Sequence, residues 1–359
     1  MPAMNLDIWD QAALTAQVVR KLKSKKESLP SLADSIAPMQ EVRERRLKMR
    51  VLEVDAFGIG QLRAPDGDPK LFRTNTQVRE ELIELALPDE MERLSEDILD
   101  RLDSTDPLIK LSAGADAVTR GMVLAERSLR RVEQMRWSAF LNGYVDLTYD
   151  NNEARRVTYN IPAGNKVTAG TLWSTLSADV ISQVRGWQKT VADQVGEYGL
   201  WLHMNSNTYE YLYNNTVIAA KLSSWGRSTM QVSGPDEIAS LFREGSQIKI
   251  YDGGYRDVVT PRVDITDNTS FGDSKLTKWL PDGKVLITPA NYAVDGQPIA
   301  DTPNGRVRVA TGYNTAVWKQ GPATETILHP ISKNEFLRHA RANIPRLQVP
   351  EAFFIATVL

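Results

Sequence analysis

Three histidines, His203, His329 and His339, are the chain's only imidazoles, and no two stand at a spacing that lets both face one metal ion. Cysteine is absent, which removes disulfides, thiolate ligands and thiol nucleophiles together. A serine nucleophile needs a base held by a third group, and no Gly-x-Ser-x-Gly elbow occurs. His203 lies in the apolar run Leu200–Met204, where a histidine is expected to be a packed core residue. Gly58-Ile59-Gly60 lacks the third glycine of a dinucleotide turn, and Gly283-Lys284 is followed by Val285 where a phosphate loop needs a hydroxyl. Asp264, Asp267 and Asp273 lack the spacing of a calcium loop and read as loop solvation. Forty-five acidic residues make chance carboxylate pairs too common to carry weight. The expectation is a protein that is not an enzyme, with no cofactor and no metal.

The elements that would have to position a site tell more. Residues 1–50 read as an arm. An amphipathic stretch from Ile8 to Leu22 runs into the basic cluster Arg20, Lys21, Lys23, Lys25 and Lys26. A loop between Pro30 and Pro38 follows, then a second cluster, Arg43, Arg45, Arg46, Lys48 and Arg50. These charges fit either a solvated helix face or an arm that touches a polyanion or an acidic partner.

Residues 51–88 read as a long β-hairpin turning at Ala64-Pro65-Asp66-Gly67-Asp68-Pro69, where proline presets φ and glycine supplies a positive one. Asp66 and Asp68 are explained by that turn. Between Gly58 and Glu80 the large apolar residues are few: Ile59, Leu62, Leu71, Phe72 and Val78. A lone two-stranded hairpin is marginal in water, so this one is expected to lie on something else.

From about Ala113 to Asn142, Val118, Met122, Ala125, Leu129, Val132, Met135 or Arg136, and Phe140 recur at three- and four-residue steps, with Arg127, Arg130, Arg131 and Glu133 opposite. Gly143 stops this helix, which would span roughly 45 Å. A hairpin is expected over Val145–Tyr149 and Arg156–Ile161. An α/β region follows, with helices over Ser177–Tyr198, from Ser206 and after Pro235, and strands over Leu200–Met204, Gln247–Tyr251 and Val285–Thr288. Pro350–Leu359 is almost wholly apolar and is expected to form a strand inside a sheet.

With 359 residues, 42% of them hydrophobic, the chain can bury a sizeable core, and wholesale disorder is excluded. Net charge is −2, so any contact with nucleic acid must come from a local basic patch. No apolar run reaches the roughly 18 residues of a membrane span. The opening MPAMNLDIWDQ lacks a secretory pattern, and the lack of cysteine fits either synthesis in a reducing cytoplasm or a protein that must survive in any redox environment.

Four stretches in order carry a resemblance: LALPDEMERLSEDILDRL (85–102), AVTRGMVLAERSLRRVEQMRWSAFLNG (117–143), KWLPDGKVLITP (278–289) and PEAFFIATVL (350–359). The chain resembles the major capsid protein E family of lambda-type tailed bacteriophages over about residues 40–359. That resemblance implies an α+β chain with the HK97-like capsid fold. It implies an N-terminal arm (1–50), an extended E-loop hairpin (51–88), a peripheral domain (89–168) with a spine helix at about 113–142, an axial α/β domain (169–330), and a return to the peripheral domain (331–359) whose last strand closes the peripheral sheet.

The implied function is self-assembly into pentamers and hexamers of an icosahedral head enclosing double-stranded DNA, in the virion and, during assembly, in the host cytoplasm. Arg63, Pro65, Asp66, Gly67, Asp68, Lys70, Phe72 and Arg73 of the E-loop would contact a neighbouring subunit. Arg20, Lys21, Lys23, Lys25 and Lys26 would face the interior and touch DNA without sequence preference. The other partners implied are a separate scaffolding protein, a portal and a decoration protein, with no membrane. Lys70 is the one hairpin candidate for covalent crosslinking, which is not expected. An encapsulin-type compartment and a soluble α/β hydrolase or transferase are the alternatives; a tail tube or portal fits the segment order less well.

Overall fold

The computed structural model describes residues 11–28, 31–44, 46–53, 77–148, 153–196, 199–224, 234–256, 276–294, 296–310, 316–328 and 335–359. Helix α1 (Gln11–Ser28) does not hang free. Leu14 and Val18, four residues apart and so on one face, are fully buried in a cluster with Leu94, Val118, Leu124 and Leu337. A short helix, α2 (Leu32–Ile36), and strand β1 (Met39–Glu41) carry the chain on to β2 (Arg46–Glu53). Strand β2 pairs antiparallel with β3 (Gln77–Glu84) from Arg46↔Glu84 to Glu53↔Gln77. Pairing thus begins five residues before the expected start at 51, inside the second basic cluster.

Strand β4 (Asp89–Arg93) and helix α3 (Glu96–Asp103) lead to α4 (Pro107–Asn142), the long helix. It begins at residue 107, not 113, because Asp106 accepts a hydrogen bond from the Leu108 amide (2.8 Å) and Pro107 presets the first turn. At 36 residues it runs about 54 Å. Gly143, at φ 72°, ends it in the left-handed conformation that glycine adopts most cheaply. Its buried face includes Ala113, Ala117, Val118, Leu124, Ala125, Val132 and Phe140, together with Glu133 and Arg136. Glu133, expected on the solvent side, is buried because it accepts from Trp137 Nε1 (3.1 Å) and pairs with Arg136.

The hairpin β5 (Tyr144–Thr148) and β6 (Ala154–Thr158) follows, then β7 (Lys166–Thr168) and α5 (Val180–Val195), capped by Asp179. Next come β8 (Leu200–Met204), α6 (Ser206–Tyr213), α7 (Thr216–Ser224), α8 (Pro235–Ala239), β9 (Gln247–Ile250), β10 (Gly254–Arg256), β11 (Leu276–Lys278) and β12 (Lys284–Pro289). The chain then crosses β13 (Ala293–Val294), β14 (Gln297–Pro298), β15 (Ala300–Asn304), β16 (Arg306–Ala310), β17 (Ala316–Gln320), β18 (Ala323–Leu328), β19 (Glu335–Ala340) and β20 (Arg346–Leu347), and ends in β21 (Phe354–Thr357).

Two sheets organise these strands. One has the order β18-β19-β4 and packs on α4, with α1 also against β18. The other has the order β7-β21-β12-β8-β9, its central strands buried on both faces and flanked by α5 and α8. The C-terminal strand β21 sits inside this second sheet, antiparallel to β12 and parallel to β7. It does not close the sheet on the long helix, as the segment order had implied. Apolar strand residues seek the most enclosed slot, and the contact with the long helix falls instead to Phe353, stacked on Phe140 at 5.4 Å.

Candidate assembly interface

The hairpin base comes first. Strands β2 and β3 form a two-stranded sheet of their own, with no third strand beside either among the described residues. Its root is anchored: Ile83 and Leu85 are buried, with Leu47 packed beside them. Leu85 Cδ1 approaches so closely that a Cβ on Gly305 would stand 2.2 Å from it, so a larger residue there must displace the Leu85 side chain. Residues 54–76 lie outside the described residues, and with them Arg63, Pro65, Asp66, Gly67, Asp68, Lys70, Phe72 and Arg73.

The arm is seated by two polar devices. Thr15 Oγ1 donates to the Thr324 carbonyl (3.0 Å) and accepts from the Thr324 amide (3.2 Å). Strand β18 is the edge of its sheet, so this hydroxyl stands in for a missing strand partner. Further on, Arg136 reaches Asp34 of α2 (2.9 Å) and Thr302 of β15 (2.7 Å), while Ser31 bonds Glu133. Tyr251 stacks on Trp137 at 5.4 Å, and burial with the Glu133 charge raises its pKa to about 12. Arg341 is buried nearby, and desolvation together with the Arg136 charge lowers its pKa to about 10, so it stays protonated at neutral pH.

Arg20 and Lys21 are exposed on α1, and Lys23, Lys25 and Lys26 continue the same helix. The network around Arg136 escaped the sequence reading. Its one signal was an arginine on the apolar stripe of a long helix.

Two further surfaces belong to the ends of α4. At its start Leu108, Ile109 and Leu111 are exposed, Leu108 by 75%. Toward its end α4 joins β5, β10 and β11 around an open cavity of about 350 Å³. Met135, Trp137, Leu141 and Trp279 line the cavity, and Arg131 and Lys284 are among its charged residues.

The two described histidines lie inside the core. His203 and His339 are buried and bond Thr288 Oγ1 (3.0 Å) and Thr324 Oγ1 (2.9 Å). Their other ring nitrogens, Nδ1 of His203 and Nε2 of His339, have no partner. Desolvation lowers both pKa values to about 3, so both rings are neutral and sealed from solvent. His329 lies outside the described residues, as do Asp264, Asp267 and Asp273. Among the described residues no three metal-ligating side chains converge, and no helix is long and apolar enough to cross a membrane.

No protein-family model matches the chain, and no curated protein matches its sequence. Solved structures do. The putative capsid protein of a prophage of E. coli CFT073 superposes with a TM-score of 0.52 over 95% of this chain and 98% of that one, at 12% identity. The fold is that of a phage capsid protein. A phage-related protein from Bordetella bronchiseptica RB50 also superposes, with a TM-score of 0.50 over 94% of this chain and 96% of that one, at 10% identity. The capsid fold therefore persists here with almost no sequence in common, and the α+β, HK97-like architecture expected from the order of segments is the one observed.

Proposed function

We propose that the chain is the shell subunit of a tailed-phage head and acts by assembly, not by catalysis. The observation that carries this is the hairpin root in a capsid fold: eight residue pairs join β2 and β3, and among the described residues neither strand has a third strand beside it. A neighbouring copy supplies the surface beside them. Residues 51–88 then serve as the E-loop, with Arg63, Pro65, Asp66, Gly67, Asp68, Lys70, Phe72 and Arg73 as contact residues. The long helix α4 with the sheet β18-β19-β4 serves as the peripheral domain, and the sheet β7-β21-β12-β8-β9 with its flanking helices as the axial domain, so the bounds expected at 168 and 330 each shift by a few residues.

Contacts that close on themselves give rings, here pentamers and hexamers. Many weak contacts per subunit allow errors to be corrected during growth while holding the finished shell. The basic helix end, Arg20 through Lys26, faces packaged double-stranded DNA or a scaffolding partner. A portal and a decoration protein complete the particle, in the virion and earlier in the host cytoplasm.

Electron microscopy of the purified protein tests this, beside a variant lacking Leu62–Leu71. The full chain is expected to form closed shells or capsomers, and the deletion to leave a folded protein that forms neither. Normal particles from the deletion would overturn the E-loop assignment. A full-length protein that stays monomeric with its capsid partners present would overturn the shell reading itself. Double-stranded DNA filling the particle, in place of a cargo enzyme, separates a phage head from a cellular compartment.

A further inference from the structure

We propose that the N-terminal tip of α4 in one copy docks into the cavity beside the C-terminal end of α4 in a second copy, a head-to-tail contact that rests on the shell reading. The tip offers Leu108, Ile109 and Leu111, all exposed on the first turns of the helix. Exposed apolar side chains clustered at one helix end have the character of an interaction surface.

Around the tip, residues 96–116 hold six carboxylates (Glu96, Asp97, Asp100, Asp103, Asp106 and Asp116) against Arg101 and Lys110. Arg101 is already engaged by Asp97 (2.9 Å) and Asp116 (3.1 Å). The tip is therefore greasy and acidic.

The cavity has the opposite character. Its floor is apolar and aromatic, with Trp279 stacked on Tyr255 at 4.5 Å. Its charged residues are Arg131, Lys278 and Lys284 against one acid, Asp146, which Arg156 holds at 2.6 Å. Lys278 is engaged by Asp252 (3.0 Å), which leaves Arg131 and Lys284 as its cations without a carboxylate partner among the described residues. A cavity that joins cations to apolar and aromatic side chains complements an acidic helix end that carries exposed leucine and isoleucine. The two surfaces lie at opposite ends of a helix about 54 Å long, too far apart to meet within one copy. The contact is therefore heterologous, and it propagates from copy to copy, closing into a ring where the rotation between copies closes.

The absence of cysteine makes the test clean. Leu108 and Asn142, exposed at the tip and the cavity mouth, are replaced as Leu108→Cys and Asn142→Cys, singly and together, and assembled particles are oxidised mildly. The double variant is expected to give a ladder of covalent dimers, trimers and higher oligomers on non-reducing gels, and the single variants no ladder.

A second measurement uses charge. Arg131→Glu is expected to lower particle yield, and adding Asp100→Lys to restore it. Shells that form normally yet give no ladder, or that give only dimers through Leu108→Cys alone, overturn this contact and leave the shell reading standing. Absence of shells from the unmodified protein overturns the shell reading first.

Discussion

Gly121, inside α4, is where the arm helix crosses, and replacing it measures how firmly that helix is held. A Cβ there would stand 3.1 Å from Val18 Cγ2, 3.3 Å from Thr324 Cγ2 and 3.5 Å from Leu337 Cδ2. Alanine gains about 1 kcal/mol of helix propensity over glycine. Crowding of this kind costs about 1–3 kcal/mol, so Gly121→Ala is expected to be near neutral or mildly destabilising.

Leucine adds three more heavy atoms with no space to enter, and α1 must lift. Lifting exposes Leu14 and Val18, worth about 1.5–3 kcal/mol each, and breaks both Thr15 bonds, about 1 kcal/mol each. The ordering entropy of an 18-residue helix offsets much of this, so detachment is expected to spare the rest of the fold. A 3 kcal/mol penalty on the docked state raises the open population by about a hundredfold, and cleavage that samples the open form rises with it. Limited trypsin digestion at Arg20 and Lys21, read by mass spectrometry, is the assay. Unchanged cleavage in Gly121→Leu would refute the docked geometry of α1.

Asp34→Asn leaves the buried Arg136 only the more distant Glu133 carboxylate (3.6 Å), and urea unfolding is expected to show a loss of about 3 kcal/mol; a loss under about 1 kcal/mol would mean that the pair seats nothing. His203 and His339 stay neutral down to about pH 3 in the fold but titrate near 6.5 when unfolded, so the unfolded chain binds more protons in that window. Stability is therefore expected to fall as pH drops below about 6.5, by about 1.4 kcal/mol per unit for each ring, and a melting temperature flat from about pH 7 to 5 counts against their burial. Gly283→Ala puts a Cβ 2.6 Å from Leu359 Cβ at a φ of 75°, and about 1–3 kcal/mol should be lost, with faster amide exchange in β21; unchanged exchange there would contradict the packing.

The long helix was legible because its buried residues repeat with the helical period. Its true start was not, because Leu108, Ile109 and Leu111 face water and fall off the stripe. Only the Asp106-Pro107 cap marked that start. Strand β2 hid inside a basic cluster, since charge patterning says nothing about pairing. The tail was legible as a strand from its apolar run. Its neighbours were not, because β7 and β12 lie far away in sequence and pairing is decided by the whole core. The capsid fold was legible through four stretches in order. The cavity and the Arg136 network are products of three-dimensional convergence, and sequence held one trace of them, the misplaced arginine.

The place of β21 between β7 and β12 also bears on how the protein is made. Until residues 354–357 have been synthesised, β7 and β12 face an empty slot, and two rows of backbone donors and acceptors wait unpaired. Pairings this remote in sequence form slowly, and folding during translation must stop one strand short. Chains that stop before residue 354 would leave the facing edges of β7 and β12 unpaired.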